Sequence, residues 1–346
     1  METDSLLILS GYAASVAGIL YMAAMALYIF YLIFGKRYAG IAASASGLTG
    51  FATQAAAFIT RWYLFYKYAG NGDILRAVPI TNLYESLLFF ALVLSGVYLY
   101  FEYKTKNRTL GVFAFAVSGT TVLFIEAIGA SSSINLLVPA LQSNWLLAHV
   151  SLSFTAYVCF AVSAISAAIY LILTADKGGL PYFIWTISIG CAAAALITVI
   201  IKAVFSGLSS VKIIFIVLSA IFSAAAVLYG DRFKHVFKNT VKEPDTLDAV
   251  SYKFIAAGFA IFTIGGIVFG AIWAEQAWGR YWSWDPKETW AFITWCVYGI
   301  YLHGRLYGKW NKKIAGSIAL IGFIITVFTY LGVNLLLSGL HSYGSL

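Results

Sequence analysis

Trp278-Gly-Arg-Tyr-Trp-Ser-Trp-Asp-Pro-Lys-Glu-Thr-Trp290 separates two apolar runs, 252–273 and 287–305. Each run is long enough to cross a bilayer, for which a helix needs about 20 residues. The polar tail of the stretch predicts where the second run begins as a helix. Asp285 at the N-cap, Pro286 in the first helical position and Glu288 at N3 have the spacing of a capping box. The stretch is therefore an aromatic turn between two spans, and working outward from it the rest of the chain repeats the pattern of apolar run and short polar break.

Hydrophobic residues make up 61% of the 346 residues and charged residues 10%, with a mean hydropathy of +0.86. That balance excludes a soluble domain and predicts an all-α integral membrane protein. Ten segments of spanning length can be marked, at 6–34, 40–66, 83–101, 110–128, 145–174, 182–205, 211–230, 252–273, 287–305 and 314–337. Segment 182–205 has the least distinct end, because Lys202 and Gly207 interrupt it. The breaks show no internal repeat or low-complexity tract, so 1–346 reads as one polytopic membrane domain with an external tryptophan-rich segment at 274–287. The acidic start, Met1 to Ser5, lacks the basic region of a cleavable signal peptide, and the run behind it reads as a first span. Cys159, Cys191 and Cys296 lie inside apolar runs and form no CxxC, which argues against thiol redox chemistry.

Fifteen of the 22 lysines and arginines fall in the odd-numbered breaks, from Lys36 and Arg37 to Lys309, Lys312 and Lys313. Basic breaks face the cytoplasm, so both termini and the tryptophan-rich break are expected on the non-cytoplasmic side. The net charge of +8 is then a signal of topology in a lipid bilayer, and nucleic acid binding needs no invoking. This orientation sorts the four histidines by depth. His149 lies a few residues into segment five, counted from Asn144 as its N-cap, and His341 follows the last span. Both are outer and can flank the tryptophan-rich break. His303 lies eighteen residues beyond Asp285 on one helix, about 27 Å toward the cytoplasm, in a separate inner site. His235 sits in the basic inner loop and reads as a solvated surface residue.

Five of the ten tryptophans fall between Trp278 and Trp295. An interfacial belt accounts for one or two rings per helix end, whereas Trp278, Tyr281, Trp282 and Trp284 crowd into seven residues beside Gly279. Flat aromatic faces with imidazoles nearby suit a large planar ligand that carries a metal. Haem is the leading candidate, since imidazole is a natural axial ligand for its iron, and His149, His303 and His341 are the candidate ligands. The amides at the start of segment nine would favour an anionic group such as a propionate, with Arg280 and Lys287 as further partners. Asp285 reads first as a cap. On the inner site, His303 shares a helical stripe with Phe292, Cys296 and Gly299, and the small Gly299 leaves room for a flat ligand. Arg61, Glu85 and Glu126 read as structural ion pairs or water-facing ends.

A b-type membrane cytochrome would place paired histidines about four turns apart on the same helices, whereas the three candidates here occupy different segments. A transporter for another substrate would carry an inverted repeat and broken helices, and the sequence offers neither.

The block from Trp278 to Trp290 resembles the "WWD" signature of haem-handling proteins, and its setting is similar to the CcsA (ResC) family of cytochrome c biogenesis, the second of the known bacterial and chloroplast systems. Further matches are Asn82-Leu-Tyr-Glu-Ser86, Leu247-Asp-Ala-Val-Ser-Tyr-Lys253, Gly270-Ala-Ile-Trp-Ala274, Tyr301-Leu-His303, Gly332-Val-Asn-Leu-Leu336 and Gly339-Leu-His-Ser-Tyr-Gly344. They cover about the last hundred residues densely and the first two hundred sparsely. The resemblance implies that haem b, as substrate and bound ligand, is held at an external surface by Trp278, Gly279, Arg280, Tyr281, Trp282, Trp284 and Asp285, between His149 and His341. There it would be presented to the CxxCH motif of an apocytochrome c for thioether attachment. His303 matches an inner, membrane-embedded ligand. A CcsB (ResB) partner is implied to supply the other inner ligand and a large external domain, which would make this chain half of a cytochrome c synthase. The implied location is a bacterial inner membrane with the site on its outer face. The WWD proteins of the first system are the alternative, against which the 247–253 and 339–344 matches weigh.

Overall fold

A computed structural model describes residues 2–69, 74, 77–80, 82–127, 143–204, 211–238, 241 and 243–337. Thirteen helices are seen among them: α1 (Glu2–Phe34), α2 (Arg37–Ala69), α3 (Leu83–Thr105), α4 (Gly111–Ala127), α5 (Asn144–Thr174), α6 (Leu180–Val204), α7 (Val211–Leu228), α8 (Gly230–Lys238), α9 (Pro244–Phe262), α10 (Gly270–Trp278), α11 (Pro286–Leu306), α12 (Lys312–Val327) and α13 (Val333–Leu336). Two π-helical stretches, Thr263–Phe269 and Phe328–Gly332, join α9 to α10 and α12 to α13. The protein is all-helical among the described residues. Each of the ten apolar segments coincides with a helix. Among the described residues five helices are both long and apolar enough to cross a membrane: Ser5–Phe34, Leu83–Thr105, Asn144–Thr174, Pro244–Trp278 and Lys312–Gly332.

The structure corrects the sequence reading at four places. The cap of α5 is Ser143, whose Oγ accepts from Trp145 N at 3.2 Å, and Asn144 is already helical. The break at 231–249 contains α8, a short amphipathic helix whose Phe237 packs on Phe113 at 6.0 Å. The helix before the tryptophan-rich turn runs on to Trp278, which shortens the non-helical part to 279–285. The long helices are also not uniform, since π turns interrupt two of them.

Between apolar helices in lipid, close packing and polar contacts hold a bundle, because lipid tails offer no hydrophobic drive for association. The centre is α5, buried along most of its length and packed against α9, α12, α3 and α6. Its Phe160 ring stacks on Tyr298 of α11 at 3.7 Å. On one side α1 to α4 form a four-helix group, and α6 and α7 pack as a hairpin.

The helix ends sort into two sets. At one end Ser143 Oγ donates to Gln276 Oε1 at 2.7 Å, Lys287 Nζ donates to Asn334 Oδ1 at 3.0 Å, and Ser86 bonds Tyr330. These contacts bring together the starts of α3, α5 and α11 with the ends of α10 and α12. At the other end lie the ion pairs Arg305–Asp248 at 2.8 Å, Lys312–Asp245 at 2.8 Å, Lys313–Asp176 at 2.5 Å and Lys177–Asp231 at 3.5 Å. Consecutive long helices thus run in alternate directions, and the tryptophan-rich turn sits opposite the charged end.

Candidate functional site

The turn is built by two helix ends. α10 stops at Gly279, which takes the left-handed conformation at φ 72° and donates its N–H to Glu275 O at 2.8 Å. α11 starts with the capping box expected from the sequence. Asp285 Oδ1 accepts from Lys287 N at 3.0 Å, and Glu288 Oε2 accepts from Asp285 N at 3.3 Å and from Ser283 N at 2.7 Å. These carboxylates claim amides that the sequence reading had left to an anionic ligand. Lys287 is also directed inward, toward Asn334 and over the Tyr330 ring at 5.2 Å, while Arg280 is exposed. Between the two ends Trp284 is held at φ 59°, a left-handed conformation in a bulky residue. Such a residue costs about 1–3 kcal/mol, and backbone strain of this kind gathers where a ligand or a mechanism needs the side chain aimed.

The strained turn aims its rings at α11. Trp282 and Trp284 meet edge to face at 5.8 Å, and each also meets Phe292, at 6.5 and 6.1 Å. Phe292 stacks on Trp295 at 6.0 Å, and Trp295 stacks on Phe259 at 5.4 Å while donating Nε1–H to Thr263 Oγ1 at 2.9 Å. A ladder of rings thus descends from the turn along the seam of α9 and α11. Tyr281 and Trp284 remain about two-thirds exposed. The Nε1–H of Trp282 is buried and has no hydrogen-bond partner among the described residues, although an unpaired buried donor costs about 1–3 kcal/mol.

His149 lies on the other side of α10. Its ring is parallel to Trp273, 6.1 Å away with 8° between planes, and its Nδ1 is 2.8 Å from the carbonyl oxygen of Gly265. A carbonyl only accepts, so Nδ1 carries the proton and the lone pair is on Nε2, the form in which an imidazole binds a metal. Trp273 in turn meets Trp278 edge to face at 6.1 Å. His303 is elsewhere. It is exposed in the last turn of α11, toward the charged end, with its ring 5.3 Å from that of Tyr307, and the Phe259 ring lies beside Gly299. The structure therefore joins His149 to the tryptophan-rich end and keeps His303 apart from it. His341 and the 339–344 match lie outside the described residues.

A flat metal-bearing ligand can be tested against these groups. Among the described residues no three His, Cys, Asp or Glu side chains converge to hold a bare metal ion. A porphyrin brings four nitrogens of its own, so a single imidazole with a defined tautomer meets its need. The unpaired Trp282 N–H suits a carboxylate at the edge of the ring. The residues fit haem on both counts. Sequence reasoning passed over Trp273 and the carbonyl of Gly265, which orient His149, and over Thr263 and Phe259, which anchor the ring ladder. The one available signal for the π turn was the pair Gly265-Gly266 inside a run of large apolar residues.

The family described as Cytochrome C assembly protein matches residues 80–341. Relatives named Cytochrome c biogenesis protein CcsA include those of Pyropia yezoensis, 38% identical over 77% of this chain and 78% of the relative, and of Microcystis aeruginosa, 39% identical over 77% and 79%. The relative from Chlorella vulgaris is 37% identical over 88% of this chain and 87% of its own. A solved structure, Cytochrome c Heme Lyase CcmF, superposes with a TM-score of 0.52 at 16% identity, over 95% of this chain. At that identity the likeness is one of fold, and this chain spans about half, 51%, of that structure's length. On the family match over most of its length and on relatives this similar, the chain belongs to the cytochrome c assembly protein family.

Proposed function

We propose that this chain handles haem b for cytochrome c maturation, presenting it at the tryptophan-rich surface for covalent attachment to CxxCH motifs of an apocytochrome c. The observation that carries this reading is the His149 ring, bonded through Nδ1 to the Gly265 carbonyl and parallel to Trp273 at the same end of the bundle as the exposed, strained tryptophan turn, an arrangement that would offer Nε2 to a ligand. In this reading Trp278, Trp282, Trp284 and Tyr281 form the shelf. Trp282 N–H receives a ring carboxylate, and His341 supplies the second outer imidazole.

Each attachment adds a cysteine S–H across a vinyl C=C. Sulfur bonds one carbon, hydrogen ends on the other, and no oxidant is consumed. The demand on the protein is register between haem and thiols rather than a strong acid or base, and no acid–base residue is assigned. A reading as half of a two-component cytochrome c synthase follows, with a CcsB-type membrane protein supplying the rest. The exposure of His303 supports that pairing, since an imidazole turned outward from the bundle is placed for a ligand shared with a neighbouring chain. The sorting of the helix ends supports ten spans in one polytopic unit, and the basic residues at the charged end support placing that end in the cytoplasm. Both termini and the shelf would then lie on the outer face of a bacterial inner membrane.

The test is purification of the chain with and without a CcsB-type partner, followed by haem quantification and a pyridine haemochrome spectrum. Haem b retained with the partner, and lost together with cytochrome c maturation in His149→Ala, is the expected result. Absence of haem from both preparations would remove the proposal.

A further inference from the structure

The π-helical stretch Thr263–Phe269 touches both sides of the tryptophan-rich end. In a regular α-helix each interior carbonyl is taken by the amide four residues on. A π turn widens the backbone by one residue and shifts its bonds to the amide five residues on, and such turns recur at functional positions. Here the carbonyl of Gly265, within the turn, accepts from His149 Nδ1 at 2.8 Å. The same turn begins with Thr263, which accepts the indole N–H of Trp295 at 2.9 Å and so fixes the ring ladder. One turn beyond Gly265, a side chain at Gly270 would place its Cβ 2.8 Å from His149 Cε1 and 2.9 Å from Nδ1, closer than real Cβ atoms approach. The glycine is what lets the imidazole lie against α10 with its ring parallel to that of Trp273.

We propose that the π turn is a built positioning element for the outer haem ligand. The Gly265 carbonyl fixes His149 in the tautomer with its lone pair on Nε2, and Gly270 fixes the plane of the ring. Residues of this kind orient a metal-binding histidine and raise its basicity, and losing one commonly costs 10–100-fold in metal affinity, about the range expected here. The inference rests on the reading of His149 as a haem ligand.

Two variants separate positioning from folding, each in the full chain purified with its partner, loaded with haem b, and carried in a His303→Ala background so that the inner site does not contribute. Gly270→Ala displaces the ring. His149→Nδ1-methylhistidine keeps Nε2 but removes the donor to Gly265. Both are expected to accumulate normally and to lose low-spin outer haem about tenfold or more. The haem that remains should have a raised midpoint potential, because the ligand is less basic. Added imidazole should restore the low-spin spectrum of Gly270→Ala. Wild-type haem content and potential in both variants would overturn the proposal. So would a drop in protein level in both, since the contact would then serve folding. Outer haem retained by His149→Ala would instead sink the ligand reading on which the proposal rests.

Discussion

In the group of α1 to α4 most buried polar side chains pair with one another, and among the described residues only Glu85 Oε2 and Thr109 Oγ1 are left there without a hydrogen-bond partner. Arg61 and Glu85 are both fully buried, with Arg61 Nε donating to Glu85 Oε1 at 2.8 Å and the guanidinium lying 4.6 Å over the Tyr84 ring. Toward the charged end Glu102 accepts from Tyr28 at 2.5 Å, Tyr98 at 2.8 Å and Arg108 at 3.0 Å. Between them Gln54 accepts from Tyr21 at 2.6 Å and donates to the Leu88 carbonyl at 3.0 Å. Around the tryptophan turn the balance is different. Among the described residues the buried Trp282 Nε1 and Glu288 Oε1 have no hydrogen-bond partner, Trp284 is strained, and the π stretch Thr263–Phe269 bonds the ring ladder at Trp295. The first region spends its polar chemistry on internal pairing and behaves as scaffold. The second combines an unmet donor, Trp282 Nε1–H, with backbone strain at Trp284, the condition of a surface shaped for something it binds.

The largest effect should come from breaking the scaffold. Arg61→Met leaves the Glu85 carboxylate buried without its counter-charge, a loss of about 3–5 kcal/mol. The variant should fail to accumulate, or should melt well below the parent in detergent. Arg61→Met combined with Glu85→Met should recover most of that loss, since a buried pair replaced by apolar groups is often close to neutral. A single variant that accumulates and melts normally would erase the contrast between the two regions.

At the tryptophan turn the same kind of test should separate stability from function. Trp282→Phe keeps an aromatic ring, gives up part of the indole's packing on Trp284 and Phe292, and removes an N–H that has no partner among the described residues, so the two effects oppose and its thermal midpoint should correspond to a change of about 1 kcal/mol at most. If that N–H receives a haem carboxylate, the lost bond is worth about 1.5–3 kcal/mol. Haem retention and cytochrome c yield should then fall about tenfold or more. Unchanged retention would return Trp282 to simple packing.

A smaller and opposite shift is expected from Trp284→Gly. Relief of the left-handed conformation should stabilise the fold by about 1 kcal/mol, offset in part by the freedom glycine adds to the unfolded chain. The exposed ring gives up little packing. A raised melting temperature with weaker haem retention would identify strain kept for function. A lowered one would mean that the Trp284 contacts with Trp282 and Phe292 hold the turn together.

The all-helical fold and the capping box at Asp285 were legible because they rest on local signals: runs of apolar residues, short polar breaks, and Asp, Pro and Glu at fixed offsets. Arg61, Glu85 and Glu126 were legible only as charges that form an ion pair or face water, since a charge at membrane depth needs a partner, and the structure supplies the pairing of Arg61 with Glu85. The π turn was not, because its gain is tertiary. The contact from His149 of α5 to the carbonyl of Gly265 joins two distant helices, and no periodicity in 252–278 encodes that. Trp273 was hidden for a related reason, as an aromatic residue in an apolar run looks like any other core ring. The outward face of His303 was equally silent, because helical spacing ranks neighbours on a stripe without saying which stripe the bundle covers.

The smallest expected effect lies at the charged end, where Asp176 and Lys313 tie the end of α5 to the start of α12 across an exposed contact of 2.5 Å. The hydrogen bond and charge of Lys313 hold the Asp176 carboxyl below its ordinary value. A carboxyl with a lowered folded-state value contributes stability above its unfolded value, about 3.9, and loses it as the pH falls through the folded-state value. Asp176→Asn should therefore lower the melting temperature slightly at pH 7, and the difference from the parent should close below about pH 4 and shrink in high salt. Melting curves of the two proteins between pH 7 and pH 3 would measure it. A loss at pH 7 as large as that of Arg61→Met would mean that exposed tethers carry the architecture as much as buried pairs do. The distinction between scaffold and binding surface would then have to be redrawn around the charged end.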